Sequence, residues 1–229
     1  MKTKIVLYLT VLMIVSVQSS YSQFVTGFGL KAGTTISNQN LNYSEGFNTK
    51  TRYHIGYNIS LFTDFLKNKN FNLQTEAGYD QRGYKLVLQR TDEFGNNIGE
   101  SIDSYDTHYI TVGILAKAKY PGKVVTPYFL AGPRMDIYLG YTSHTPSDVQ
   151  GAGGLKNAVL EEFKKINYSV SVGAGMEFNN LLPYKTSIEV NYQPQVNTSF
   201  NNSFVAVKEY SFNVKLGINF IKEKTKSKK

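Results

Sequence analysis

Between residues 210 and 220 apolar and polar side chains alternate without a break. Tyr210, Phe212, Val214, Leu216, Ile218 and Phe220 share one face, and Ser211, Asn213, Lys215, Gly217 and Asn219 share the other. Successive side chains of a strand point to opposite sides of a sheet, so a repeat of two marks a β-strand with one apolar and one polar face. The pattern returns along the chain. Ile166, Tyr168, Val170, Val172, Ala174, Met176 and Phe178 oppose Asn167, Ser169, Ser171, Gly173, Gly175 and Glu177. Ile188, Val190 and Tyr192 oppose Glu189, Asn191 and Gln193; Phe71, Leu73, Ala77 and Tyr79 oppose Asn72, Gln74, Glu76 and Asp80. Tyr53, Ile55, Tyr57, Ile59 and Leu61 oppose Arg52, His54, Asn58 and Ser60. The run from Ile110 to Tyr120 alternates too, with Leu115 as an apolar exception on the polar face. Two further strands, over about residues 24–36 and 127–141, bring the count to eight.

The connections have their own rhythm. Segments 64–70, 121–126 and 179–184 are short, while 38–50, 91–105, 143–165 and 197–207 are long. Short turns at one rim and long loops at the other are what an up-and-down transmembrane barrel shows. The fold class expected is therefore all-β: an eight-stranded antiparallel barrel. Aromatics end the 210–220 stripe ten residues apart, about 23 Å along a strand tilted near 45°, close to the height of a lipid-facing band. An even strand count puts both ends of the barrel on one side, the periplasmic one. Leu155, Val159, Phe163 and Ile166 are spaced as one face of a helix, a local cap on the barrel rim.

The start of the chain adds a location. Lys2 and Lys4 precede an apolar run over residues 5–17, and Ser20-Tyr21-Ser22 is a small-x-small cleavage pattern. Residues 1–22 are expected to be a signal peptide, 23–221 the barrel and 222–229 a Lys-rich periplasmic tail. With no Cys in the chain there is no lipid anchor, disulfide, zinc–thiolate site or Cys nucleophile. The 17 Tyr, 14 Phe and 19 Gly suit strands that meet lipid and pack closely. Of the net charge of +8, Lys2 and Lys4 supply two and the tail a net four, leaving +2 for the rest. That excludes a basic nucleic-acid surface.

Periodicity alone does not say which face turns outward. A soluble lipocalin-type barrel puts its apolar face inside, around a ligand. The absence of Trp, the aromatic stripe ends and the alternation of loops favour the outer-membrane arrangement, with lipid as the outer partner. Gly29-Leu30-Lys31-Ala32-Gly33, Phe71-Asn72-Leu73-Gln74-Thr75-Glu76 with Tyr79 and Gly83, and Tyr109-Ile110-Thr111-Val112 follow one another in order. Gly132-Pro133, Gly173-Ala174-Gly175-Met176-Glu177-Phe178 and Leu216-Gly217-Ile218-Asn219-Phe220 come after them. Together these motifs resemble PorT-like outer-membrane β-barrel proteins over nearly the whole mature chain. The chain departs from that pattern in reading Val112-Gly113 where the family often has Pro, and in running on past Phe220. The resemblance implies a part in protein secretion, with envelope or secretion proteins as partners.

With the apolar face outside, the lumen receives Lys31, Arg52, Arg82, Lys117, Lys119, Arg134 and Lys215 against Glu76, Asp80, Asp136, Glu177 and Glu189. An eight-stranded interior is just wide enough for side chains to fill it, and buried charges must pair. A salt-bridged, closed lumen is expected, with inward glycines leaving room for the long Lys and Arg chains. His54, His108 and His144 sit toward the long-loop ends, with Asp103 and Asp106 nearby in sequence. No nucleophile motif accompanies them. Asp92-Glu93 and Asp103 with Asp106 offer carboxylates to a divalent cation, but without the regular spacing of a binding loop. No catalytic residue, cofactor or metal is expected. The functions compatible with this reading are a closed structural or interaction barrel, a small-solute channel, and a lipocalin-like binder.

Overall fold

The computed structural model describes residues 24–43, 50–66, 68–91, 94, 96–144, 164–179, 184–199 and 205–220. The expected leader, the Lys-rich tail and the helical spacing over 155–163 lie outside them. Eight strands follow in order: β1 (Val25–Tyr43), β2 (Thr51–Phe65), β3 (Phe71–Thr91), β4 (Asn97–Lys119), β5 (Val125–His144), β6 (Ile166–Phe178), β7 (Lys185–Pro194) and β8 (Val205–Asn219). Each pairs antiparallel with its sequence neighbours, and β1 pairs with β8 from Gly29↔Asn219 to Tyr43↔Val205. Closure gives each described strand a hydrogen-bonded neighbour on both sides, the condition for a sheet to stand in lipid.

The ring extends further at one rim than the side-chain pattern predicts. Residues 97–105, expected in a loop, belong to β4, and its ladder with β3 runs from Phe71↔Ala118 to Thr91↔Asn97. Ladder bonds join main chains and do not need an apolar face, so the hairpin continues above the level where that face ends. The β2–β3 register shifts between Tyr53 and Asn58. There Ser37 of β1 takes over: its hydroxyl accepts from the Gly83 N–H at 2.8 Å and donates to the Gly83 carbonyl at 2.9 Å.

Outward positions are apolar and exposed, among them Ile55, Leu61, Ile114, Phe129, Val172, Val190 and Leu216. Inward neighbours such as Asn58, Ser60, Asn191, Asn213 and Lys215 are buried and polar. This is the reverse of a lipocalin, and an apolar face of this extent is stable against lipid rather than water. Aromatic pairs border it. Phe24 with Phe65, and Phe220 with both Phe28 and Tyr184, gather near the rim of the short turns. Tyr53 with Tyr210, Tyr57 with Tyr79, and Tyr192 with Phe212 lie toward the other rim. The inward apolar exception Leu115 packs with Tyr128 and Leu130, a small apolar cluster inside a polar lumen.

Leu216 lies midway along the outer stripe of β8. Leu216→Arg should therefore cost about 2–4 kcal/mol of stability, whereas Tyr120→Arg, beyond the band, should cost about 1 kcal/mol or less. Urea unfolding of the protein in lipid vesicles measures both.

Candidate functional site

Inside the ring, charged side chains fall into three stacked sets of two cations and two anions. Each set draws on several strands, because alternate residues of every strand point inward. Nearest the short-turn rim, Lys117 Nζ lies 2.6 Å from Glu177 and 3.6 Å from Asp64, and Lys119 Nζ lies 3.8 Å from Glu177. At mid-height, Lys31 Nζ lies 2.7 Å from Glu189 and 3.5 Å from Glu76, and Lys215 pairs with Glu76. Toward the long-loop rim, Arg82 and Arg134 each contact both Asp80 and Asp136. Arg82 Nε stands 3.0 Å from Asp80, and its two terminal nitrogens meet the Asp136 carboxylate at 3.1 and 3.2 Å. Arg134 Nε and Nη2 reach Asp136 and Asp80, each at 2.8 Å. Forked guanidinium donors can span two carboxylates in this way, and an ammonium cannot.

Neutral groups complete the sets. Thr35 and Ser169 donate their hydroxyls to Asp80 and Asp136 at 2.7 and 2.9 Å. Ser60 donates to Glu76 at 2.8 Å, and the Gln74 amide to Asp64 at 2.7 Å. Tyr128 joins two levels: its hydroxyl donates to Glu189 at 2.8 Å, while Lys117 Nζ sits 4.3 Å from its ring centre. Gly175 gives this ring its place, since a Cβ there would come within 2.5 Å of the Tyr128 oxygen. At Gly217 a Cβ would press first on Ser187 Oγ and stand 3.2 Å from Lys31 Cγ, so this glycine leaves room for two inward side chains. Between the mid-height and upper sets, a void of water-molecule size is lined by residues including Glu76, Thr111, Arg134 and Gln193.

Of the lumen residues expected from sequence, the structure brings together Lys31, Glu76, Asp80, Arg82, Lys117, Lys119, Arg134, Asp136, Glu177, Glu189 and Lys215. Arg52 is the correction. Its side chain is 56% exposed and pairs at 3.1 Å with Glu100, itself 51% exposed, because β2 at that height has passed the register shift and stands at the rim. Two buried acids were missed. Asp64, assigned to a turn, is an inward residue of β2; Glu209, one residue before the recognised stripe of β8, accepts a hydrogen bond from Tyr109 at 3.0 Å. Both share the parity of inward neighbours already identified, Ser60 and Ser211, so extending each stripe would have found them.

The three histidines lie on strands, His54 on β2, His108 on β4 and His144 at the end of β5. His54 Nε2 stands 3.3 Å from Asp106 Oδ1, and His144 Nε2 3.7 Å from Asp106 Oδ2. His108 is apart, bonded through Nδ1 to the Tyr79 hydroxyl at 2.6 Å. Asp103 is buried on β4, and Asp92 and Glu93 fall outside the described residues.

Removing one member of a buried pair strands its partner in low dielectric, a loss of about 3–5 kcal/mol. Arg134→Met should destabilise the barrel on that scale. Arg52→Met, which breaks an exposed pair, should cost less than about 1 kcal/mol. Urea titrations of the two variants side by side check the contrast.

Solved structures similar to this chain are small membrane barrels. OprG from Pseudomonas aeruginosa is 10% identical, with a TM-score of 0.48, covering 87% of this chain and 98% of its own. Neisserial surface protein A is 11% identical, with a TM-score of 0.45, covering 86% and 99%. The outer membrane enzyme PagL is 13% identical, with a TM-score of 0.40, covering 82% and 98%. No curated protein matches the sequence. The profile of one family matches residues 18–205, most of the chain. The protein belongs to the outer membrane protein beta-barrel domain family and resides in the outer membrane.

Proposed function

We propose that this barrel has a lumen shut by ion pairs and works as a structural and interaction module of the outer membrane. The observation that carries the reading is the composition of the lumen: three sets of two cations and two anions stacked along an interior only as wide as its side chains. Charges lining an aqueous pore would be held apart by water, whereas Arg82 and Arg134 here reach both carboxylates between them directly. The segments joining β1 to β2, β3 to β4, β5 to β6 and β7 to β8 all leave the same rim, which makes that rim the face for an external partner. Both barrel ends emerge at the opposite rim, read as periplasmic, where the Lys-rich tail would meet an envelope protein. The resemblance to PorT-like barrels supports a partner from the secretion machinery. The barrel is read as non-enzymatic.

The test is conductance across a planar bilayer. The folded protein, recognised by a gel mobility that changes on boiling, should insert without opening stable channels. Channels of porin size would overturn the reading in favour of solute passage.

A further inference from the structure

The face that Asp106 shares with His54 and His144 has a feature the lumen lacks: a buried imidazole nitrogen and a buried carboxylate oxygen that confront each other without a hydrogen bond. His54 and Asp106 are each 8% exposed. His54 Nε2 and Asp106 Oδ1 are 3.3 Å apart, yet each is without a hydrogen-bond partner. The other atoms of both groups are engaged. The Gln81 amide donates to Asp106 Oδ2 at 2.9 Å, and Ser104 Oγ stands 3.4 Å from His54 Nδ1. The two atoms form no hydrogen bond, and in the tautomer whose Nδ1–H donates to Ser104, Nε2 turns a lone pair toward a carboxylate oxygen: two acceptors with no proton between them. A cation bound by both atoms resolves the conflict.

The spacing selects the kind of cation. Two ligand atoms bonded to a tetrahedral ion at about 2.0–2.1 Å stand about 3.3 Å apart. Octahedral Mg²⁺ at similar bond lengths would draw them to about 3.0 Å and prefers oxygen ligands. Among the described residues no three His, Asp or Glu side chains already converge at ligand spacing. The third ligand is supplied by movement. His144 is 65% exposed on its side chain, and its Nε2 lies 3.7 Å from the same carboxylate, so a turn of this exposed imidazole would bring it in. Ser104 and Gln81 then act as the groups that orient the ligands, the usual companions of a metal-bound His and Asp.

We propose that His54 Nε2, the Asp106 carboxylate and His144 Nε2 bind one divalent transition ion of the zinc type at the long-loop rim, clipping β2, β4 and β5 together. Three protein ligands leave the fourth position open to water or to a donor from a partner.

The probe is Co²⁺, then Zn²⁺, titrated into the tag-free, refolded full chain in detergent micelles. One equivalent of Co²⁺ should raise the strong visible absorption of a tetrahedral site, and Zn²⁺ should abolish it, with Mg²⁺ inert. Asp106→Asn and His54→Gln should weaken binding about tenfold or more, and His144→Gln by a comparable factor, while His108→Gln leaves it unchanged. Each variant is scored only when its boiling-dependent gel shift shows a folded barrel; His144→Gln, at an exposed residue, keeps the test decisive should the buried changes fail to fold. A featureless Co²⁺ spectrum, or a tetrahedral spectrum that His144→Gln leaves intact, would overturn the site.

Discussion

A sheet of eight strands closed on itself leaves an interior that side chains alone can fill, and half of all strand residues must point into it. In this chain the lipid-facing half takes the apolar residues, so the interior takes the polar ones, several of them charged. Moving an unpaired charge out of water costs several kcal/mol, so an inward Lys requires an inward acid within reach. The three balanced sets answer that requirement level by level. Lys117 and Lys119 meet Asp64 and Glu177, Lys31 and Lys215 meet Glu76 and Glu189, and Arg82 and Arg134 meet Asp80 and Asp136. The register is held by this pairing. A slip of one residue in any ladder would turn its charges to lipid.

The sets also tie strands that the ladders do not. Ladder bonds link each strand only to its neighbours, whereas Lys31 of β1 reaches β3 and β7, and Arg82 of β3 reaches β5. Cross-lumen contacts of this kind brace the ring against flattening. They also underlie the proposed closure, since a solute would have to part ion pairs held in direct contact. The rim carries a different chemistry. There the strands outrun the apolar band and the β2–β3 register shifts. Ser37 repairs the main-chain bonding of Gly83, and His54 Nε2 is left facing Asp106 Oδ1 with no hydrogen bond between them.

Much of this was legible in the sequence, because a repeat of two assigns both the strand and the face of each residue. The stripe from Tyr210 to Phe220 put Lys215 on the polar face, and the aromatic stripe ends and the alternation of loops made that face the inner one. Reading faltered where the stripe lost its apolar partner. Residues 97–105 looked like a loop because their polar composition gives no alternation, yet main-chain pairing with β3 continues through them. Arg52 fell on the inward parity but lies above the level where parity decides burial. Asp64 and Glu209 were lost by ending strands one or two residues early. The His54–Asp106–His144 grouping was legible only as candidates near one rim; which histidines meet Asp106 depends on how the strands align and on a local register shift.

The central claim is that the lumen is shut by its paired side chains, and the absence of Cys from the chain allows a direct test of it. Ser171 and Thr35 face the lumen and are 2% and 0% exposed. Single Ser171→Cys and Thr35→Cys variants, refolded into vesicles, would be treated with a water-soluble, membrane-impermeant thiol reagent beside an exposed Arg52→Cys control. The account predicts that the control reacts at once and the two lumen thiols react only after unfolding in urea. Labelling of folded Ser171→Cys and Thr35→Cys at the control's rate would contradict it.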